Sequence, residues 1–122
     1  MVAYTPPGWP QEVRPPGASE WEATATAYLF DCGPPDFRGS RVLQRHPVVL
    51  ARFAAQFVEG QRRTAEEGLA EVRTALSGRV PPDVVQEAAE AWSEQAARLA
   101  RTARAVRLVE SALRGEAFVP RL

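Results

Sequence analysis

Residues 77–82 read SGRVPP, and the shape of the molecule turns on them. Proline lacks a backbone N–H and fixes φ, and glycine readily adopts turn conformations, so no single helix runs through this hexapeptide. On both sides the pattern is helical. From Pro47 to about Ser77 apolar residues recur at Leu50, Phe53, Phe57, Val58, Ala65, Leu69, Val72 and Leu76, diluted only by Gly60 and Gly68. Pro82 suits the first position of a helix, and the run it opens extends to about Arg114, ahead of Gly115. Within that run Val85, Ala88, Trp92, Gln95, Leu99, Thr102, Val106, Val109 and Leu113 alternate steps of three and four, the period of a coiled-coil seam.

Each run of about 30 residues spans roughly 45 Å as a helix. A turn this short allows only antiparallel return. The expected fold is therefore all-α: a long antiparallel helical hairpin over about 47–77 and 82–114. Pairing across the turn joins positions whose numbers sum to about 160, which sets Trp92 opposite Gly68 and Leu69. Gly68 then serves as a notch for the indole, at a helix-propensity cost of ~1 kcal/mol relative to alanine. The same pairing gathers Glu66, Glu67, Glu71, Glu87, Glu90 and Glu94 toward the turn. It sends Arg45, Arg52, Arg101, Arg104, Arg107 and Arg114 to the open end, so a chain of 15 cations and 15 anions is neutral but bipolar. In the last helix this gradient also complements the macrodipole, and Glu94–Arg98 and Glu110–Arg114 add i,i+4 pairs.

Upstream, a shorter helix is expected over about 20–32. Ser19 with Glu22 has the spacing of a capping box, and Trp21, Ala25, Tyr28, Leu29 and Cys32 fall on one face. Gly33 is expected as a left-handed cap residue, with Pro34 barring continuation. Ser40 is placed to cap a short turn through Arg45. Residues 1–18 hold five prolines and two glycines, with Tyr4, Trp9 and Val13 interleaved. That mixture predicts an extended Pro-rich arm packed on a single helical domain of residues 19–122. Phe118, Val119 and Leu122 follow the last helix and are expected to tuck against the open end, the alternative being a short linear motif for a partner.

The chain's one cysteine and one histidine lie in residues 31–47, DCGPPDFRGSRVLQRHP. A catalytic cysteine needs a base and an orienting group, and structural zinc needs four soft or borderline ligands. Neither set is present, so Cys32 reads as a core residue. His46, directly before Pro47, reads as a capping or packing residue. No glycine-rich phosphate loop follows a strand, and the carboxylate pairs Glu66–Glu67 and Glu87–Glu90 sit on solvated helix faces. No catalytic, metal or cofactor-binding residue is assigned, and the protein is not expected to be an enzyme. The candidate interaction surface consists of Asp36, Phe37, Arg38 and Arg41 in the elbow, with Arg101, Arg104, Arg107 and Arg114 at the open end.

Arg98, Arg101, Arg104 and Arg107 recur every three residues, and such a ridge can track phosphates. Net neutrality and a sequence pI of about 6.6 weigh against that use. So does composition. All 15 cations are arginine, while lysine, isoleucine and asparagine are absent, the mark of a GC-rich genome. No window approaches the ~20 apolar residues of a membrane span, and the N-terminus lacks signal-peptide patterning. A single cysteine forms no internal disulfide, so a cytoplasmic setting is expected.

PPGWP (6–10), VRPPG (13–17), PPDFRG (34–39), RHP (45–47) and ALRGEAFVPRL (112–122) together resemble segments of small uncharacterised helical proteins from high-GC actinobacteria. The resemblance implies a bacterial cytoplasmic setting and a helical fold, and it carries no activity, cofactor or catalytic residue. The function expected is that of a non-enzymatic protein–protein interaction, regulatory or adaptor protein. The alternative is a nucleic-acid- or ribosome-associated factor using the arginine end. Because two long helices give a thin core, a homodimer through the hairpin is expected, with no membrane association.

Overall fold

Two long helices form the frame of the structure, a computed structural model that describes residues 3–121. In chain order the elements are α1 (Trp21–Cys32), a 3-10 turn (Pro35–Gly39), α2 (Arg41–Arg45), α3 (Pro47–Leu76) and α4 (Pro82–Leu113). The all-α fold and the long antiparallel hairpin stand as expected. Its register is fixed by three cross-contacts. Arg73 donates to Gln86 at 2.8 Å, the Trp92 indole lies over Gly68, and Arg52 pairs with Glu110 at 3.5 Å.

The core occupies the open half of the hairpin. Leu50, Ala51, Ala54, Ala55 and Val58 of α3 pack with Ala103, Ala105, Val106 and Val109 of α4. Ala25, Tyr28, Leu29 and Phe30 of α1, with Leu43 of α2 and Val13 of the arm, supply a third layer. Beyond this region the hairpin continues as a two-helix stalk, in which Ala65, Val72, Val85 and Ala89 are the buried apolar residues. The seam expected along α4 is accordingly uneven. Val85, Val106 and Val109 are buried, whereas Gln95 is exposed and Trp92 is 41% exposed. Val106 and Val109, under the third layer, are fully enclosed, whereas Val85 in the two-helix stalk keeps 9% of its surface exposed.

Gly68 is the notch that the sequence predicts. An ideal Cβ at Gly68 would overlap Cζ2, Cε2 and Nε1 of Trp92. Gly68→Leu gains ~1 kcal/mol of helix propensity but displaces the ring, and overpacking costs about 1–3 kcal/mol. The variant is expected to melt a few degrees lower; a raised melting temperature would refute the notch.

Three local expectations fail. The Ser19–Glu22 capping box is not formed: Glu20 occupies the N-cap, with φ 66° and no side-chain cap bond. The arm supplies the local bonding instead. Thr24 Oγ1 donates to the Trp21 carbonyl at 2.9 Å and accepts the Arg14 amide at 3.0 Å, tying arm to helix. Gly33 is extended (φ −100°, ψ 176°) rather than left-handed. Its missing side chain serves packing, since a Cβ there would lie 2.6 Å from Cδ2 of Phe37. Ser40 and His46 stand at the predicted N-cap positions of α2 and α3 but make no side-chain cap bond.

The arm packs on the body through successive turns. Trp9 N–H bonds to the Pro6 carbonyl, Val13 N–H to Pro10 and Ala18 N–H to Pro15, while Ala3 N–H reaches Pro16 at 3.0 Å. The Trp9 indole donates to the Val13 carbonyl at 2.9 Å, and Arg104 of α4 donates to the Pro7 carbonyl at 3.0 Å. Phe118 tucks edge-on against Trp9 with ring centroids 6.0 Å apart, whereas Val119 is 82% exposed. Leu122 lies outside the described residues.

Candidate interaction surface

Phe37 is the elbow residue around which apolar surface collects. The 3-10 turn exists because Pro34 and Pro35 forbid continuation of α1, and Gly33 lets the Phe37 ring close down on the backbone. The ring then faces α3, meeting Phe53 at 5.7 Å and Phe57 at 6.1 Å between centroids, both edge-to-face. Phe53 and Phe57 are one helical turn apart and share a face of α3. With Arg52 and Gln56 the three rings line a groove of about 370 Å³ whose walls are almost wholly apolar.

Phe53 recurs with the apolar residues of α3 that the sequence picks out. It is nonetheless 47% exposed. The residues turned toward α4 and α1 on that stretch are Leu50, Ala51, Ala54, Ala55 and Val58, four of them small or β-branched. The apolar stripe of α3 is therefore wider than a two-helix seam can cover, and the excess is Phe53 and part of Phe57. That width, visible as paired phenylalanines beside a continuous apolar run, was the available sequence signal for the groove.

The remaining elbow residues divide. Arg38 is engaged, donating to Asp31 at 2.6 Å and lying over the Phe30 ring at 5.7 Å. Asp36 and Arg41 are exposed. At the open end Arg104 is bound to the arm, and Arg114 pairs with buried Glu110 at 3.1 Å. Arg101 and Arg104 line a shallow depression with Gly8, Glu12 and Tyr28. Arg107 is exposed and near enough to Glu59 to help hold that carboxyl low, after the dominant hydrogen bond from Arg62. The elbow residues and the four arginines thus do not converge on a single site.

Cys32 is half-buried against the core beside the Tyr28 hydroxyl. Burial pushes its thiol up, the Tyr28 hydrogen bond opposes this, and Asp31 reinforces it. Burial likewise raises the Tyr28 phenol, with Cys32 adding to the effect. A thiol so perturbed carries less thiolate at neutral pH than a free one, the reverse of an activated nucleophile. His46 is exposed at the start of α3 and is not among the groups acting on Cys32. Among the described residues no three His, Cys, Asp or Glu side chains cluster as a metal site, and no helix is long and apolar enough to cross a membrane.

Compared with protein-family models, curated proteins and solved structures, the chain matches none, so a functional reading rests on the geometry of its own surface.

Proposed function

We propose that the chain is a non-enzymatic interaction protein, an adaptor or regulator working in the cytoplasm, which presents the Phe37–Phe53–Phe57 groove to a protein surface. The observation that carries this reading is the groove itself. Three aromatic rings, one of them half exposed, line an apolar trough on a helix of 30 residues. Aromatic side chains held by a folded scaffold bury large area at small entropic cost, which is why they anchor interfaces. An apolar trough on a helix face is the form that accepts an amphipathic helix or a bulky apolar side chain. The acidic and basic ends of the hairpin add orientation, because charge complementarity steers encounter and fixes register.

Phe53→Glu tests the reading. The side chain is half solvated, so the substitution is expected to leave the fold intact while charging the groove. In nuclease-treated extracts from the native cell, the tagged chain is expected to recover a defined protein, or its own untagged copy. Recovery should fall at least tenfold with Phe53→Glu. Recovery that disappears with nuclease would favour the nucleic-acid alternative, and recovery indifferent to Phe53→Glu would refute the groove as the binding surface.

A further inference from the structure

Resting on the reading of the chain as an interaction protein, the geometry points to a second copy of the same chain as the partner, packed antiparallel so that each stalk lies against the open half of the other. Three independent features of the hairpin meet at one level. The first is charge. The open half, residues 47–63 and 98–114, carries eight arginines against two glutamates, a net +6. The stalk, residues 64–97, carries seven acids against two arginines, a net −5. The sign changes after Arg63 on α3 and before Arg98 on α4, positions that face each other in the hairpin register. Parallel association would stack like upon like; antiparallel association sets each acidic stalk on a basic half.

The second feature is shape. The open half is three layers thick, because α1, α2 and the arm cover it, and the stalk has only two. A two-fold axis near the charge boundary brings the thick half of each copy over the thin half of the other, supplying the layer that the stalk lacks.

The third is the placement of exposed aromatic surface. Phe57 and Gly68 are eleven residues apart, close to three full turns, so they share a face of α3 about 16 Å apart. Trp92 lies over Gly68, and Phe57 lines the groove. The half-exposed indole and the apolar groove therefore lie along one side of the hairpin, on opposite sides of a midpoint close to Gln61. A two-fold there carries Trp92 of one copy toward the groove of the other and repeats the contact in reverse, as an isologous interface requires. Gln61 and Thr64, which share this face between the two aromatic sites, are uncharged and place no like charges against each other at the axis.

Light scattering and sedimentation on the purified chain at tens of micromolar provide the test. The expected mass is twice 13.4 kDa. Trp92→Ala and Phe53→Glu are each expected to raise the dimer dissociation constant at least tenfold while circular dichroism stays helical. Gln61→Cys in a Cys32→Ser background is expected to form an interchain disulfide under mild oxidation. Gly78→Cys in that background is expected not to, because antiparallel turns lie about 50 Å apart. A monomeric mass, dimers insensitive to both aromatic substitutions, or a Gly78→Cys cross-link would each overturn the proposal. If the chain is monomeric while Phe53-dependent recovery of a different protein persists, the self-association is refuted and the interaction reading stands. If both are lost, both fall.

Discussion

Leu50→Ala is expected to cost about 3 kcal/mol and to lower the melting temperature by about 10 °C. Leu50 is fully enclosed, within the cluster that joins Leu29 of α1, Leu43 of α2 and Val106 and Val109 of α4. Truncation removes apolar transfer energy and leaves a cavity whose walls are held by three different elements. Those walls cannot close independently, which puts the loss in the 2–5 kcal/mol range of enclosed leucines. Val42→Ala makes the control. That side chain is 49% exposed, and its truncation is expected to cost less than about 0.5 kcal/mol. Urea unfolding of the two variants separates the outcomes. A Leu50→Ala loss below 1 kcal/mol would mean that α1 does not lock onto the hairpin as the structure shows.

Removing both Arg52 and Arg114 by alanine substitution is expected to cost about 3 kcal/mol, more than the two single substitutions added together. Glu110 is the one buried charged residue among those described, 7% exposed, and its carboxylate meets Arg52 at 3.5 Å and Arg114 at 3.1 Å. Either guanidinium alone still neutralises it, so each single variant loses little. With both gone, a carboxylate remains in an apolar seam with no cation, the circumstance that makes a broken buried pair costly. The reverse deletion is cheaper, because both arginines are about half exposed and rehydrate when Glu110→Gln removes their partner. Adding Glu110→Leu to the double alanine variant is expected to recover most of the loss. Strict additivity in this cycle would show that the three side chains do not act as a unit.

The hairpin was legible because its determinants are local and periodic. A turn containing Gly78, Pro81 and Pro82 limits the return path, and helix periodicity then sets the register that joins Gly68 to Trp92 and Arg52 to Glu110. Phe37 was singled out as surface residue of the elbow, and it does line the groove. Its companions Phe53 and Phe57 belong to the apolar pattern of the same helix as the buried residues, and periodicity reports that a stripe is apolar without saying how much of it a neighbour covers. The same limit applies to Trp92, placed correctly in register yet left 41% exposed where no third layer reaches.

The failed caps have a related cause. A Ser-x-x-Glu spacing describes what a helix end can do in isolation. Here the arm arrives from the side, Arg14 bonds to Thr24, and the backbone at Glu20 takes a left-handed conformation that the capping box does not use. Gly33 was read as a residue chosen for its backbone freedom, whereas packing of the Phe37 ring is what requires it.

Sequence alone therefore determined what depends on near neighbours in the chain: three helices with their ends to within a residue or two, a short turn before the second of them, the antiparallel return and the separation of acidic from basic halves. Tertiary structure decided which apolar residues are covered. Burial depends on how many layers meet at a point, and that number is set by where α1, the 3-10 turn and the arm come to rest on the hairpin. They rest on its open half, so Leu50 is enclosed, Phe53 is left beside a groove, and the stalk with Trp92 keeps an open face.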